Sequence, residues 1–211
     1  MRVLRRCLPL LLVGLLVTWS CGAIDGGSRG TGITSTVQGV VLMVESPSDQ
    51  QNSVQGIRVR PKGHGAKSIT SEAGVFHVQG NFSGHLTVLF IRKSDGLHAS
   101  LGIYLPSGGT LTLNGVGIDG GAGTAVANSA DVDFVGEITQ VDCVGQTLTM
   151  LSANRPPGDM DTYLVRLNTS SIVDSQGNTL ACSALRNGED AHVRGTVESD
   201  GSFGNATIVI E

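Results

Sequence analysis

The histidines are the first candidates for a functional site in this sequence, since an imidazole can ligate a metal or act as a general base near neutral pH. The sequence holds five histidines: His64, His77, His85, His98 and His192. None lies in a Cys/His cluster or an HExxH pair, the spacings that bring two ligands to one metal. His77 and His85 fall on neighbouring predicted strands, where they could approach each other. We interpret the histidines as outward-facing strand residues and expect neither a metal nor a cofactor.

Catalysis by a serine or a carboxylate needs a partner group held beside it. The sequence has no Gly-x-Ser-x-Gly elbow leading into a helix. Asp159 and Asp161 flank Met160 in a predicted loop, and two carboxylates could bind Ca²⁺ weakly. A full calcium site needs about six oxygens or more. We therefore interpret this pair as a solvated loop and expect the protein not to be an enzyme.

The start of the chain has the pattern of a signal peptide over residues 1–20. Three arginines precede an almost unbroken apolar run over residues 8–17. About ten apolar residues are too few to span a bilayer, which needs ~20. Residues 21–36 are rich in glycine and favour a flexible tether, although a frayed terminus would have the same composition. The sequence thus predicts an exported protein.

The segment Val17-Thr18-Trp19-Ser20-Cys21 resembles a bacterial lipoprotein cleavage box. Thr18 stands where Leu is usual, and Trp19 where a small residue is. The resemblance implies that Cys21 is diacylated, becomes the first mature residue, and holds the protein at a membrane in the periplasm or on the outer face of the envelope. The alternative is ordinary cleavage after Ala23, which would leave a soluble periplasmic or secreted protein.

Cysteine usage predicts a disulfide. Of the four cysteines, Cys7 is removed with the signal peptide and Cys21 lies at its end, which leaves Cys143 and Cys182. An even pair in an oxidising compartment is typical of a disulfide. Two buried thiols are the alternative.

The rest of the sequence predicts an all-β fold. Short strands with alternating apolar residues recur between turns that contain glycine, and no segment has a helical period. A small, polar stretch at residues 119–130 predicts a linker. We expect a first β module over residues 37–118 and a second over residues 131–211.

The first module contains residues 37–41 (Val-Gln-Gly-Val-Val), residues 54–59 and a Thr-x-x-x-Gly-x-Phe-x-Val stretch at residues 70–78. It resembles the carboxypeptidase regulatory-like, transthyretin-like domain. That resemblance implies an immunoglobulin-like sandwich of seven strands, and an accessory role rather than a catalytic one.

The second module contains residues 135–142 and 146–150 as a hairpin, residues 165–172, and a Leu-x-x-Gly-x-x-Val-x-Gly form at residues 185–195. It resembles the bacterial domain of unknown function 5666. The resemblance implies a small OB-like β-barrel in an exported protein, with no established activity.

Charge argues against nucleic acid as a partner of the OB-like module. OB-folds that grip single strands combine a basic groove with aromatic platforms. Residues 131–211 hold four arginines and no lysine against twelve acidic residues. Their three aromatic residues, Phe134, Tyr163 and Phe203, fall at strand positions that we expect to face inward. We therefore expect no nucleic-acid binding by this module.

These observations favour a non-catalytic envelope protein that acts as a β-module scaffold or protein-binding accessory, with envelope or surface proteins as partners. The alternative is a carbohydrate-binding module at the cell surface. Sugar platforms favour exposed aromatic residues, and the mature chain has only two Tyr and five Phe, several of which must fill the core.

We predict that Cys21 carries lipid. Cells labelled with a fatty-acid analogue should incorporate it into the natural protein and not into Cys21→Ala, because the thiol is the acylated group. The buried acyl chains stabilise membrane association by ~0.8 kcal/mol per CH₂. Equal labelling of both proteins, or a mature N-terminus at Ile24, would contradict the prediction.

Overall fold

A computed structural model describes residues 33–47, 52–155 and 161–211, and the fold over these ranges is all-β. The signal segment, Cys21 and Asp159 lie outside the described residues. The described chain has thirteen strands, two single turns of 3₁₀-helix and no α-helix. The strands are β1 (Ser35–Glu45), β2 (Arg58–Pro61), β3 (Ser68–Ile69), β4 (Val75–Gly80), β5 (Gly84–Arg92), β6 (Leu97–Leu105), β7 (Thr110–Asp119), β8 (Thr124–Asp142), β9 (Thr147–Ser152), β10 (Thr162–Arg166), β11 (Ser171–Asp174), β12 (Asp190–Val197) and β13 (Phe203–Ile210).

The alternation seen in the sequence selects the buried face of the strands. In β4, Phe76 and Val78 are buried while His77 is exposed, as a period of two requires. Gly74 precedes this strand with a φ of +74°, and a Cβ there would lie 2.1 Å from the carbonyl oxygen of Val41. Glycine is therefore needed both for the turn and for the close approach of β1.

In the first half of the chain the strands form two groups. β1 pairs antiparallel with β4 and parallel with β7. β2 pairs with β3 and β5, and β5 pairs with β6, all antiparallel. The groups meet through their apolar faces, where Phe76 and Phe90 pack edge to face with ring centroids 5.9 Å apart. β4 and β5 thus belong to different groups, so the expectation that His77 and His85 lie on neighbouring strands is wrong.

In the second half of the chain, successive strand pairings form a closed cycle that begins and ends at β8. β8, β9 and β10 pair antiparallel in sequence. β10 pairs with β13 in parallel at one position, β13 pairs with β12, and β12 pairs back with β8. β11 adds in parallel to β13. The 3₁₀ turns are Leu167–Thr169 and Cys182–Ala184.

The segment expected to be a linker is largely strand. Residues 120–123 form a turn after β7, and β8 then runs without interruption over 19 residues. Its first part pairs with β7 from Asp119↔Thr124 to Thr110↔Asp133. The small residues of this segment therefore form a strand, because β7 supplies the hydrogen-bond partners that composition alone cannot indicate. The buried apolar side chains of both halves belong to one cluster.

The two remaining cysteines are joined. Cys143 lies in the turn between β8 and β9, and Cys182 begins the second 3₁₀ turn. Their disulfide brings the two Cα atoms to 5.8 Å across a separation of 39 positions. It ties a long connection between β11 and β12 to the β8–β9 hairpin.

A buried ion pair holds the loop before β2. Arg92 and Asp95 have side chains only 6% and 5% exposed, and Nη2 of Arg92 lies 2.6 Å from Oδ2 of Asp95. Arg92 also donates to the carbonyl oxygens of Ser53 and Gln55, and Ser46 donates its hydroxyl to Asp95. The Arg92 side chain, which hydrogen-bonds this carboxylate, holds the pKa of Asp95 down to about 2.

We predict that Asp95→Asn unfolds more easily by ~3 kcal/mol, because it leaves Arg92 buried without its counter-charge. Because the pKa of Asp95 is lower in the folded protein than in the unfolded chain, ionised Asp95 stabilises the folded protein at pH values above the unfolded pKa of 3.8. This stabilisation is lost as the pH falls toward the folded pKa of about 2. Chemical denaturation at several pH values should show this loss in the natural protein and not in Asp95→Asn. The matched control Glu72→Gln, at an exposed turn position, should behave like the natural protein.

We predict that the paired substitution of Cys143→Ala and Cys182→Ala lowers the free energy of unfolding by at most about 4 kcal/mol, the chain-entropy value for a loop of this length. Mass spectrometry after alkylation without reduction should find neither cysteine modified in the natural protein. Two alkylated cysteines would contradict the disulfide.

Candidate functional site

A groove opens between β6 and β8 in the described surface. The two strands are bridged in parallel at Ser100↔Thr124, where Ser100 donates its backbone N–H to the carbonyl of Gly123 at 3.1 Å. Beyond this bridge they separate. The resulting groove has a volume of about 570 Å³ and is open to solvent.

Apolar side chains line most of the groove. Its deep part is formed by Leu111 and Leu113 of β7, each 1% exposed. Leu101 and Ile103 of β6 line one side, and Ala127 of β8 lines the other. Leu101 and Ile103 are only partly buried, although they lie on the core-facing side of β6. The groove can therefore bury further apolar groups.

Gly102 places backbone at the groove. Ser100 directs its N–H toward β8, and residues two apart in a strand direct their backbone groups to the same side. The N–H and C=O of Gly102 thus face the groove rather than β5. Gly102 is exposed, and a Cβ there would meet no atom within 4 Å. Glycine inside a strand often marks a place where a ligand or another backbone approaches closely.

Aromatic rings lie at one side of the groove. His85 and Tyr104, opposite each other on β5 and β6, stack with centroids 4.4 Å apart. Tyr104 also stacks with Tyr163 of β10 at 5.2 Å, which joins the two halves of the chain. Of the seven Phe and Tyr residues, Tyr104 alone is not fully buried, and the inward positions expected for Phe134, Tyr163 and Phe203 are confirmed.

The turn between β12 and β13 closes one end of the groove with Glu198, Ser199 and Gly201. Asp200 holds this turn in shape. Hydrogen bonds from the hydroxyl and backbone N–H of Ser202, together with Arg166, keep the pKa of Asp200 well below its ordinary value. Arg166 also donates from Nε to the Ser202 hydroxyl at 2.9 Å. The position of the turn is thus set by β10 as well as by its own strands.

The histidines do not come together. His77 Nδ1 lies 3.2 Å from a Gln38 side-chain oxygen, and His192 Nε2 lies 2.5 Å from Asp133. His64 packs edge to face against Phe82, and His98 is exposed. No group of three or more His, Cys, Asp or Glu side chains within the described ranges is arranged to hold a metal ion.

The carboxylates with shifted pKa values serve turns and ion pairs. The pKa of Asp174 is lowered because its carboxylate accepts hydrogen bonds from the side chain and backbone of Asn178 in the turn after β11. Asp95 accepts hydrogen bonds in the same way in the turn between β5 and β6, and Asp200 does so in the turn between β12 and β13. Asp161 is exposed and lies beside Gly84.

The groove was not predicted from the sequence. In the sequence, the apolar residues that line the groove have the same alternating pattern as ordinary core residues. The polar groups of the groove belong to the backbone, which every residue type shares. The one local signal is Gly102, a glycine inside a predicted strand, which weakens a strand unless something approaches it.

In the part of the chain that the structure describes, no helix is long and apolar enough to cross a membrane.

Comparison with known proteins finds little. No protein-family model and no curated protein matches the sequence, so both family resemblances stay predictions. The structure is similar to the crystal structure of a DUF3823 family protein from Parabacteroides merdae ATCC 43184, with a TM-score of 0.27 and 10% sequence identity. The match covers 85% of this chain and 98% of that one.

Proposed function

We propose that this chain is an exported, lipid-anchored protein of the bacterial envelope that acts as a non-catalytic scaffold and binds an extended segment of a partner protein in the groove. The observation that carries the proposal is the backbone of Gly102, which faces an open apolar groove. The signal segment and Cys21 support export and anchoring. The partners are envelope or surface proteins.

An extended polypeptide suits the groove because it offers two kinds of contact at once. Its backbone can pair with the edge of β6 at Gly102, as in recognition by strand addition. Alternate side chains of the same segment would point inward, where the partly exposed Leu101 and Ile103 provide an apolar surface. The main chain would supply affinity, and the inward side chains would supply specificity.

The pairing pattern supports the two predicted modules. Residues 35–119 contain seven strands in two groups packed through Phe76 and Phe90, which is compatible with an immunoglobulin-like or transthyretin-like sandwich. The cycle β8-β9-β10-β13-β12 returns to β8, which is compatible with a five-stranded OB-like barrel. Both architectures commonly serve as binding modules.

The three carboxyls with shifted pKa values are poor candidates for a general acid. A general acid at neutral pH needs a carboxyl with a raised pKa, and the shifts found at Asp95, Asp174 and Asp200 are all downward. Each of these carboxylates stays ionised and holds a turn or a loop in place.

Carbohydrate binding is the second candidate. Tyr104 and His85 favour it, because both rings lie at the groove and a sugar can pack on an aromatic face. The stack that Tyr104 makes with His85 and Tyr163 leaves a smaller aromatic surface than a sugar platform usually provides.

We predict that Gly102→Pro reduces partner binding about tenfold and that Gly102→Ala leaves it unchanged. Proline removes the N–H that faces the groove, and losing one hydrogen bond to a buried partner costs about 1–3 kcal/mol. Alanine keeps the N–H, and its Cβ enters open space. Proline is tolerated at a strand edge when its nitrogen faces away from the ladder, so the β5–β6 pairing should survive.

The measurement is photo-crosslinking in intact envelopes from a benzophenone side chain at Val126, which is 66% exposed at the groove. The control position is Val144, which is 96% exposed in the distant β8–β9 turn. Adducts that form at both positions, or that persist in Gly102→Pro, contradict strand addition. Adducts of twice the chain's own mass indicate a second copy, and glycan-array binding that Gly102→Pro does not change indicates the carbohydrate alternative.

A further inference from the structure

The basic residues of this acidic protein differ in whether they form an ion pair with a carboxylate, and four of those without such a pair are clustered. Arg92, Arg155, Arg166 and Arg194 each form an ion pair with a carboxylate, and Arg186 donates to backbone carbonyls. Five other described cations have no such carboxylate partner. Lys62 does not line the hollow described next, whereas the other four do: Arg58, Arg60, Lys67 and Lys93. These four lie together.

They surround a shallow hollow of about 370 Å³, with His64 at its rim, and we call this set the basic face. Arg58 and Arg60 flank the buried Val59 on β2, so both side chains point outward. Arg58 lies opposite Ile91 of β5, and Lys93 follows two residues later. Like charges packed in this way repel one another, so the arrangement favours an anion in the hollow.

An exposed apolar side chain accompanies the charges. Ile69 of β3 lies opposite Arg58 and is 63% exposed. A surface that combines several cations with an exposed aliphatic side chain matches a bilayer interface, where phosphates lie above hydrocarbon. A soluble phosphate would use the cations alone.

The basic face also lies beside the point where the chain enters the fold. Ser35, the first residue of β1, pairs with Gly80 of β4. A Cβ at Gly80 would lie 3.0 Å from Cβ of Ala66, in the loop that carries His64 and Lys67. Cys21 precedes Ser35 by fourteen residues, which reach at most about 50 Å even when fully extended. A lipid at Cys21 would therefore keep this surface within reach of a membrane.

We propose that the basic face docks on the phosphate headgroups of an anionic membrane surface and orients the anchored protein. The proposal rests on the lipid anchor proposed above, but it makes a separate claim about binding. The second half, with four arginines against twelve acidic residues, is repelled by the same surface. Docking would thus turn the acidic half away from the bilayer.

The test uses the full mature chain carrying Cys21→Ala, so that acylation does not contribute, and vesicles of phosphatidylcholine containing about one part in four of phosphatidylglycerol. A triple variant, Arg58→Gln with Lys67→Gln and Lys93→Gln, removes three cations of the basic face. Each basic residue near such a surface is worth about fivefold in partitioning, so we expect a loss of about a hundredfold.

The matched control is Arg155→Gln with Arg186→Gln and Arg194→Gln, which changes the net charge equally. It should bind the vesicles within about twofold of the parent protein, since long-range charge is screened beyond ~10 Å. Arg58→Lys, which keeps the charge, should bind as the parent does. Thermal melting of each variant separates a loss of binding from a loss of folding.

Several results would overturn the proposal. These are equal losses in the two triple variants, no preference of the parent for anionic over pure phosphatidylcholine vesicles, and displacement by millimolar inorganic phosphate. Tighter binding to a single-stranded oligonucleotide than to vesicles would identify a nucleic-acid surface instead. Absence of fatty-acid labelling at Cys21 with intact vesicle binding would refute the anchor and leave the basic face standing.

Discussion

The shared strand β8 is the constraint on which the rest of the structure depends. Its first part is hydrogen-bonded to β7, and its last part to β9 and β12. A strand register cannot slip by one residue without turning every side chain to the opposite face, so each half fixes the position of the other. A flexible linker would have allowed the halves to reorient. Here the ladder that ends the first half also begins the second, and the apolar cores merge into one cluster.

The groove is a consequence of that shared strand. β8 pairs with β6 only at the Ser100–Thr124 bridge, and from Asp131 onward β8 pairs with β12 on the edge that β7 does not occupy. The β12–β13 turn then covers one end of the opening, held there by the pairing of Arg166 with Asp200. Leu101 and Ile103 are therefore core-facing residues that the opening leaves partly uncovered. A partner strand would cover them.

The distribution of charge separates the two halves of the chain, although the backbone pairing joins them. The strands connect the two halves, whereas the acidic residues concentrate in the second half and the unpaired cations in the first. Ion pairs with nearby carboxylates neutralise most arginines outside the basic face. Such a dipolar distribution gives a protein a preferred orientation in the field of a charged surface. It leaves the groove, which carries few charges, available to a partner of another chemistry.

The sequence by itself determined the strands, the buried faces and the covalent cross-link. Alternation with a period of two places Phe76 and Phe203 inside, and the turn at Gly74 requires a residue without Cβ. The two cysteines outside the predicted signal segment and cleavage box are the pair that the disulfide joins. Only the tertiary structure decided which strands are neighbours. Alternation reports that one face of a strand is buried and says nothing of its partner. His77 and His85 were therefore expected on neighbouring strands, and residues 119–130 were expected to be a linker. The groove and the basic face depend wholly on those neighbours. The groove is built from backbone and core side chains, and the basic face gathers cations from β2, the turn after β5 and the loop before β3. Because strand pairing is settled by contacts between residues distant in sequence, both sites are invisible until the chain has folded.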